Sequence, residues 1–538
     1  MIRPTGALRL LHAAREVGLL GETEPLLAEA RRAGADPLAL ASERARLPRE
    51  AFFRALAETR GLPFLDGDAL DPSPALLARV PARLLTRKQV LPLRLEADGA
   101  ALVATADPDD ESTLETLRRL LGTQLRLAVA EPSALQAALR RSISDGDAEA
   151  PAFDAVAFLD DLLHQAWLRR ASDVHLDPQP QGLSIRLRVD GHLAPAGARL
   201  APDDAAALIS RVKVLGGLDI AERRCPQDGS FSYAPRGEAE QALDVRLATI
   251  PTRLGERATL RLLGVGSEQL GVEDLGFAPH DLGRLREALE QPHGMVLLTG
   301  PTGSGKTTTL YAALREVAAP HRNVLSVEDP VERLVPGVSQ VQVDRAGKVT
   351  FASALRALLR HDPNVLMVGE IRDAETADVA VKAAMTGHLV LSSLHTNRAA
   401  AAPSRLVDLG CQRFLVASVL RGVIAQRLAR RLCERCAAAR AATPAELAPL
   451  GGGELEGATV HEPRGCAACV GSGYRGRIAL VEGLWVDEGL RAAIDEGASE
   501  QALERQARAA GLRTLQEDAL AKVLAGATSV AEGLLVRS

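Results

Sequence analysis

Gly300-Pro301-Thr302-Gly303-Ser304-Gly305-Lys306-Thr307 follows the apolar run Met295 to Thr299 and precedes Thr308-Thr309-Leu310-Tyr311-Ala312-Ala313-Leu314. The order therefore predicts a strand, a glycine-rich loop and a helix, which is the context a P-loop requires. Glycines let backbone N–H groups turn onto phosphate oxygens, the lysine reaches the β/γ-phosphates, and the threonine hydroxyl serves Mg²⁺. The helix N-terminus adds a favourable dipole. A chance glycine turn would not carry both flanks. Gly300, Pro301, Thr302, Gly303, Ser304, Gly305, Lys306, Thr307 and Thr308 are thus the expected nucleotide-binding set, with Thr307 the expected magnesium ligand.

Three further segments share the pattern of an apolar strand that ends in a reactive side chain. Asn323 to Glu328 closes on Glu328-Asp329, Val365 to Val368 leads to Gly369-Glu370, and His388 to Leu394 leads to His395. A carboxylate at the C-terminal end of a strand beside a P-loop can orient water or support Mg²⁺. An imidazole there can donate a hydrogen bond whose geometry changes when a phosphate leaves. Strands at 295–299, 323–328, 364–368 and 388–394 alternate with helical segments, which predicts a largely parallel sheet covered on both faces.

The rest of the chain divides by pattern. Residues 1–141 read as an N-terminal region, with a helical module over 1–70 and an α+β unit over 71–141. Glu24 to Arg32 and Arg49 to Thr59 are amphipathic helices, Val90 to Leu93 and Ala101 to Thr105 suit strands, and Glu111 to Leu121 and Pro132 to Arg140 suit helices. A polar linker is expected over 142–152. A second α+β domain is expected over 153–263, with a helix from Phe153 to Arg170 and strands at Leu183 to Val189, Ala242 to Ala248 and Ala258 to Leu263. A connector over 264–275 leads to the P-loop domain, 276–538.

A chain of 538 residues with 46% hydrophobic content has material for about three or four domains. Its net charge of −5 supplies no basic footprint for nucleic acid, and no nucleic-acid partner is expected. No uncharged apolar run reaches the roughly eighteen residues of a membrane span, and charges interrupt the apolar N-terminus where a signal peptide would need a clean core, so a cytoplasmic protein is expected. Of six cysteines, Cys433, Cys436, Cys466 and Cys469 form two C-x-x-C pairs. Two such knuckles joined by a polar loop suit a closed tetrahedral Zn²⁺ site; reactive dithiols are the alternative. Cys225 and Cys411 are single and expected to be buried packing residues.

Taken in order, Ala171-Ser172-Asp173-Val174-His175, Arg186 to Gly191, Gly217 to Glu222, the P-loop, Glu328-Asp329-Pro330, Gly369 to Asp373, the His395 segment and the paired cysteines resemble the secretion ATPases of the type II secretion and type IV pilus-assembly superfamily. The similarity is strongest to the general secretory pathway protein E group and runs from about Leu76 to the C-terminus. It implies a multidomain α/β chain: a RecA-like ATPase domain with a parallel-rich sheet, preceded by α+β domains, with a zinc lobe at about 430–476.

The resemblance also implies a homohexamer that hydrolyses ATP with Mg²⁺. Lys306 and Thr307 match the Walker A pair, Glu370 the catalytic glutamate, Glu328 the aspartate-box acid and His395 the box histidine. Arg246 and Arg261 match phosphate-directed arginines, and Arg356, Arg360 and Arg372 match those of the ATPase domain. Implied partners are the cytoplasmic domain of a bitopic inner-membrane secretion protein and a polytopic inner-membrane platform protein, which would place the chain peripherally at the inner membrane. Two departures stand out: Ser230 where the family usually has arginine, and Cys225 within the usual Arg-Leu-Pro. The N-terminal module also lacks the pattern of the cyclic-di-GMP-binding version, so that ligand is not implied. The implied function is a motor for pseudopilus assembly and export. A type IV pilus extension ATPase is the nearest alternative, and a non-hydrolysing adaptor is disfavoured by the presence of Lys306 and Glu370.

Overall fold

Short amphipathic helices open the chain: α1 (Pro4–Glu16), α2 (Glu24–Ala33), α3 (Pro37–Ala45) and α4 (Arg49–Arg60). Gly34 at φ 62° and Gly61 at φ 61° close α2 and α4 in the left-handed conformation that glycine adopts without a Cβ clash. These elements come from a computed structural model that describes residues 4–142, 153–236, 242–264, 270–344 and 348–537. The chain divides into two units, Met1–Gly266 with the short stretch Arg464–Gly473, and Ser267–Pro463 with Tyr474–Ser538. Most of the expected linker, 143–152, lies outside the described residues, as does 265–269 of the connector.

Within the first unit, β1 (Val90–Leu95), β2 (Ala101–Thr105) and β3 (Leu125–Val129) form a three-stranded sheet. The β1–β2 pair is antiparallel, whereas β2–β3 is parallel because α5 (Glu111–Leu121) makes the crossover. The Asp110 carboxylate caps α5 by accepting from the Thr113 N–H at 3.2 Å. Helix α6 (Pro132–Ser142) completes this part. The second part opens on α7 (Ala155–Leu168), whose cap Asp154 accepts from two backbone N–H groups. Its six-stranded antiparallel sheet has the order β6-β5-β4-β9-β8-β7. These strands are β4 (Ala171–Gln179), β5 (Gly182–Val189), β6 (His192–Leu200), β7 (Gln227–Tyr233), β8 (Leu243–Thr252) and β9 (Gly255–Leu262), with α8 (Pro202–Leu215) before β7. One sheet face buries Val174, Leu176, Ile185, Val245 and Leu260 against Leu159 and Leu163 of α7 and Leu208 and Val212 of α8. The sequence patterns had indicated only β5, β8 and β9. Strand β4 escaped because Asp173, His175 and Asp177 alternate with its apolar residues, on a face that carries charge. Cys225 is exposed, not buried as expected, because it lies in the loop between α8 and β7. Cys411 is buried.

The second unit is built on a seven-stranded sheet of order β12-β11-β13-β14-β10-β15-β18. In chain order its elements are α9 (Pro279–Glu290), β10 (Gly294–Thr299), α10 (Lys306–Val317), β11 (Val324–Glu328), β12 (Val338–Gln342), α11 (Phe351–Leu358), β13 (Val365–Val368), α12 (Ala374–Met385), β14 (Leu389–Leu394) and β15 (Leu420–Leu432). A small pair follows, β16 (Ala438–Ala441) with β17 (Thr459–Glu462), and then β18 (Tyr474–Trp485). All neighbours in the large sheet run parallel except β15–β18. Apolar residues therefore face both ways along β10: Met295 and Leu297 pack with Ala377 and Ala380 of α12, and Val296 and Leu298 with Leu310 and Leu314 of α10. This two-sided burial is why the strands read as unbroken apolar runs. Among the described residues, no helix is long and apolar enough to cross a membrane.

Candidate nucleotide site and cysteine cluster

Strand β10 is buried throughout and delivers the chain into the glycine loop at the C-terminal edge of the sheet. Gly300, Gly303 and Gly305 have φ of 140°, 80° and 89°. A Cβ on Gly300 would lie 2.4 Å from the Gln426 carbonyl oxygen, and one on Gly305 would lie 2.7 Å from Gln426 Nε2. Both conformation and space thus demand glycine. Gln426, on β15, clamps the loop: Nε2 donates to the Ser304 carbonyl at 2.9 Å, and Oε1 accepts from Thr309 Oγ1 at 2.8 Å. It was not among the expected site residues. The signal was a lone amide in the apolar run Gly422-Val423-Ile424-Ala425.

Lys306 starts α10, and its ammonium donates to the carbonyls of Gly300 at 2.8 Å and Pro301 at 3.1 Å. Burial lowers its pKa, Glu370 opposes that shift, and Arg427 adds to it. The Ser304 hydroxyl is buried without a hydrogen-bond partner among the described residues. That hydroxyl, the ammonium and the unpaired amides at the start of α10 make a donor set suited to phosphate oxygens. Thr307, half-buried in the first turn, has a hydroxyl suited to Mg²⁺.

Because β14 lies between β13 and β10, their C-terminal ends bring Glu370 and His395 to the same edge as Lys306. His395 Nε2 lies 3.2 Å from Glu370 Oε2, and Arg372 Nε lies 2.5 Å from the same oxygen. The loop after His395 is tied to β10: the Thr396 N–H donates to Thr299 Oγ1 at 2.8 Å, and that hydroxyl donates to the Thr396 carbonyl at 2.7 Å. Glu328 sits at the end of β11, 3% exposed. Its carboxylate accepts from Tyr311 of α10, Ser326 and Gln340. Burial, followed by the hydrogen bond to Glu328, pushes the Tyr311 pKa up, so the phenol stays a donor. Glu328 therefore ties α10 to β11 with both oxygens engaged.

The expected arginines are not all gathered here. Arg356 pairs with Glu375 at 2.7 Å and Arg360 donates to the Arg356 carbonyl at 3.0 Å; both are exposed. Arg246 and Arg261 belong to the first unit, where they face each other across β8 and β9. Arg261 pairs with Asp173 at 2.9 Å. Arg246 is half-buried and has no side-chain partner among the described residues.

The sulfur atoms of Cys433, Cys436, Cys466 and Cys469 all lie within 4.8 Å of one another. Zn–S bonds of about 2.3 Å in a tetrahedron require sulfurs about 3.8 Å apart, and Cys466 and Cys469 stand 3.7 Å apart. Backbone N–H groups of Cys466 and Gly473 donate to Cys469 Sγ at 3.2 and 3.1 Å. The donor set fits a structural Zn²⁺ ion.

Residues 150–535 match the family described as type II/IV secretion system protein, and residues 60–149 match the MshEN domain. The type IV pilus assembly ATPase PilB of Thermus thermophilus is 40% identical over 512 residues, 90% of this chain, which spans only 57% of that relative's length. Type II secretion system protein E of Pseudomonas aeruginosa is 42% identical over 451 residues, 83% of this chain and 87% of the relative. Among solved structures, the ATPase DotB of Legionella pneumophila has 24% identity and a TM-score of 0.54 over 72% of this chain and 98% of that chain, a likeness of fold.

Proposed function

The chain belongs to the type II/IV secretion system protein family, and we propose that it is the ATP-hydrolysing motor of a type II secretion system, working as a homohexamer at the inner membrane. The observation that carries this reading is the convergence of Lys306, Glu370 and His395 on one P-loop. Lys306 exchanges its two loop carbonyls for β/γ-phosphate oxygens. Glu370, oriented by His395 and Arg372, takes the proton of the attacking water as the β–γ bridge breaks, giving ADP and phosphate. The Thr307 hydroxyl and, through water, Glu370 would hold Mg²⁺, which supplies neutralising charge to the phosphate oxygens. Glu328 supports this arrangement by setting the position of α10. Arg246 and Arg261 are the proposed source of further positive charge in the assembled hexamer.

Membrane recruitment in this reading runs through the cytoplasmic domain of a bitopic protein, bound by residues 1–141, and force is passed to a polytopic platform protein. The pilus-assembly ATPase that matches 90% of this chain supports a second reading, extension of a type IV pilus. Both readings share the chemistry. Glu370→Gln should bind Mg-ATP yet hydrolyse it at least ~10²-fold more slowly, the cost of losing a general base. Steady-state turnover close to wild type in that variant would remove Glu370 from its role.

A further inference from the structure

Arg427 is a cation beside the phosphate loop that the hydrolysis scheme leaves unused. Side chains alternate along β15, so Gln426 turns toward α10 and Arg427 toward the opposite face. There Ala425 packs in the same cluster as Leu394 and Ala399. Arg427 Nη2 donates to Asn397 Oδ1 at 3.3 Å, two residues beyond His395. Its Nη1 is shielded from solvent and has no hydrogen-bond partner among the described residues. The carboxylate that acts on this cation is Glu482, 2% exposed on β18. Glu482 is already committed to the Ala399 N–H at 2.9 Å and to Arg398 at 3.4 Å, so it attracts Arg427 without pairing with it.

Two unfavourable features coincide here. A buried guanidinium N–H lacks an acceptor, which costs the fold stability. The same cation stands close enough to Lys306 to weaken that residue's hold on its proton. Like charges placed together in a shielded site repel, a cost that an anion received between them offsets. The anion's identity follows from the neighbours: Lys306 marks the β/γ-phosphates, and Glu370 with His395 marks the end where water attacks. Arg427, held by the loop that carries His395, belongs to that end. Guanidinium also suits the task, because its planar fork can bond a phosphate oxygen through one nitrogen and Asn397 through the other.

We propose that Arg427 is a γ-phosphate ligand, with Nη1 donating to an oxygen of the terminal phosphate of a nucleoside triphosphate while the Nη2–Asn397 bond passes the presence or loss of that phosphate to the His395 loop. This rests on the ATP reading above and adds a residue that distinguishes triphosphate from diphosphate. The test is equilibrium binding of a slowly hydrolysed Mg-ATP analogue and of Mg-ADP to full-length wild type, Arg427→Gln and Arg427→Lys. Triphosphate affinity should fall at least ~10-fold in Arg427→Gln, the loss expected for one charge-assisted hydrogen bond, while ADP affinity changes less than about 2-fold. Lysine should restore part of the preference. Asn397→Ala, a smaller change outside the sheet, should lower the same ratio if Arg427→Gln folds poorly. Equal losses for both nucleotides would make Arg427 a structural residue and overturn the proposal, as would an unchanged ratio beside a wild type that binds both. A wild type that binds neither would overturn the ATP reading itself, and this assignment with it.

Discussion

Gln426 and Lys306 show how one loop is set by residues far apart in sequence. Lys306 could be identified from its motif, because the spacing of glycines, lysine and threonine is itself the requirement for wrapping phosphates. Gln426 could not. It lies well over a hundred residues downstream and reaches the loop only because β15 pairs with β10. Its amide satisfies the Ser304 carbonyl and the Thr309 hydroxyl, both buried. Gln426→Leu keeps the volume but strands those two groups, so it should destabilise the second unit by roughly 1–3 kcal/mol. It should also weaken binding of ATP and ADP alike, by about 10-fold, which calorimetric titration and thermal unfolding would check. An unaltered unfolding midpoint would show that water replaces the clamp. Glu328 carries a related lesson. Its strand-end position was legible and Ser326 is a neighbour on its own strand, but its engagement by Tyr311 and Gln340 came from two other elements that the fold assembles.

Strand β15 went unrecognised for a reason visible in its surroundings. Its first half runs beside β10 and is buried on both faces. Its second half extends past β10 and pairs with β18 alone, and there Arg427, Arg430 and Arg431 interrupt the apolar run. A run that changes burial midway has neither period 2 nor an unbroken apolar core. The cysteine knuckles are the opposite case, since C-x-x-C spacing announces itself and only the mutual approach of the pairs needed the fold. One Zn²⁺ per chain is expected, read by elemental analysis of protein purified without chelator. Cys433→Ser should lower the metal content and loosen this lobe while nucleotide binding at the P-loop stays within about 2-fold, because a closed thiolate site stabilises structure and leaves no position for catalysis. Metal-free protein with four titratable thiols and an unchanged melting profile would overturn the zinc assignment.

For the molecule as a whole, the proposed action of Arg246 and Arg261 on a phosphate in the hexamer has a direct test. Arg261 is engaged by Asp173, whereas the half-buried Arg246 has no partner among the described residues. Arg246 is thus the stronger candidate to act on a phosphate, since its guanidinium breaks no ion pair to do so. If both act in the hexamer, wild-type specific activity should rise with protein concentration. Arg246→Ala and Arg261→Ala should assemble normally and remain at least ~10-fold slower, as for arginine fingers elsewhere. Sedimentation and ATPase rate measured across the same concentrations check this, and variants as fast as wild type would confine the active site to the second unit. By itself, the sequence determined what depends on residues close along the chain: the P-loop with its strand and helix, the strand-end carboxylates, the paired cysteines and the alternation that makes a parallel sheet. Those signals are local because backbone conformation and phosphate or metal geometry set them within a few residues. Only the tertiary structure decided that Gln426 clamps the loop, that Glu370 meets His395, that Glu328 is tied down, and that Arg427 donates to Asn397 in the loop beyond His395. These depend on the order of strands across the sheet, and hydrophobic burial, which drives the strands together, favours many orders before packing selects one.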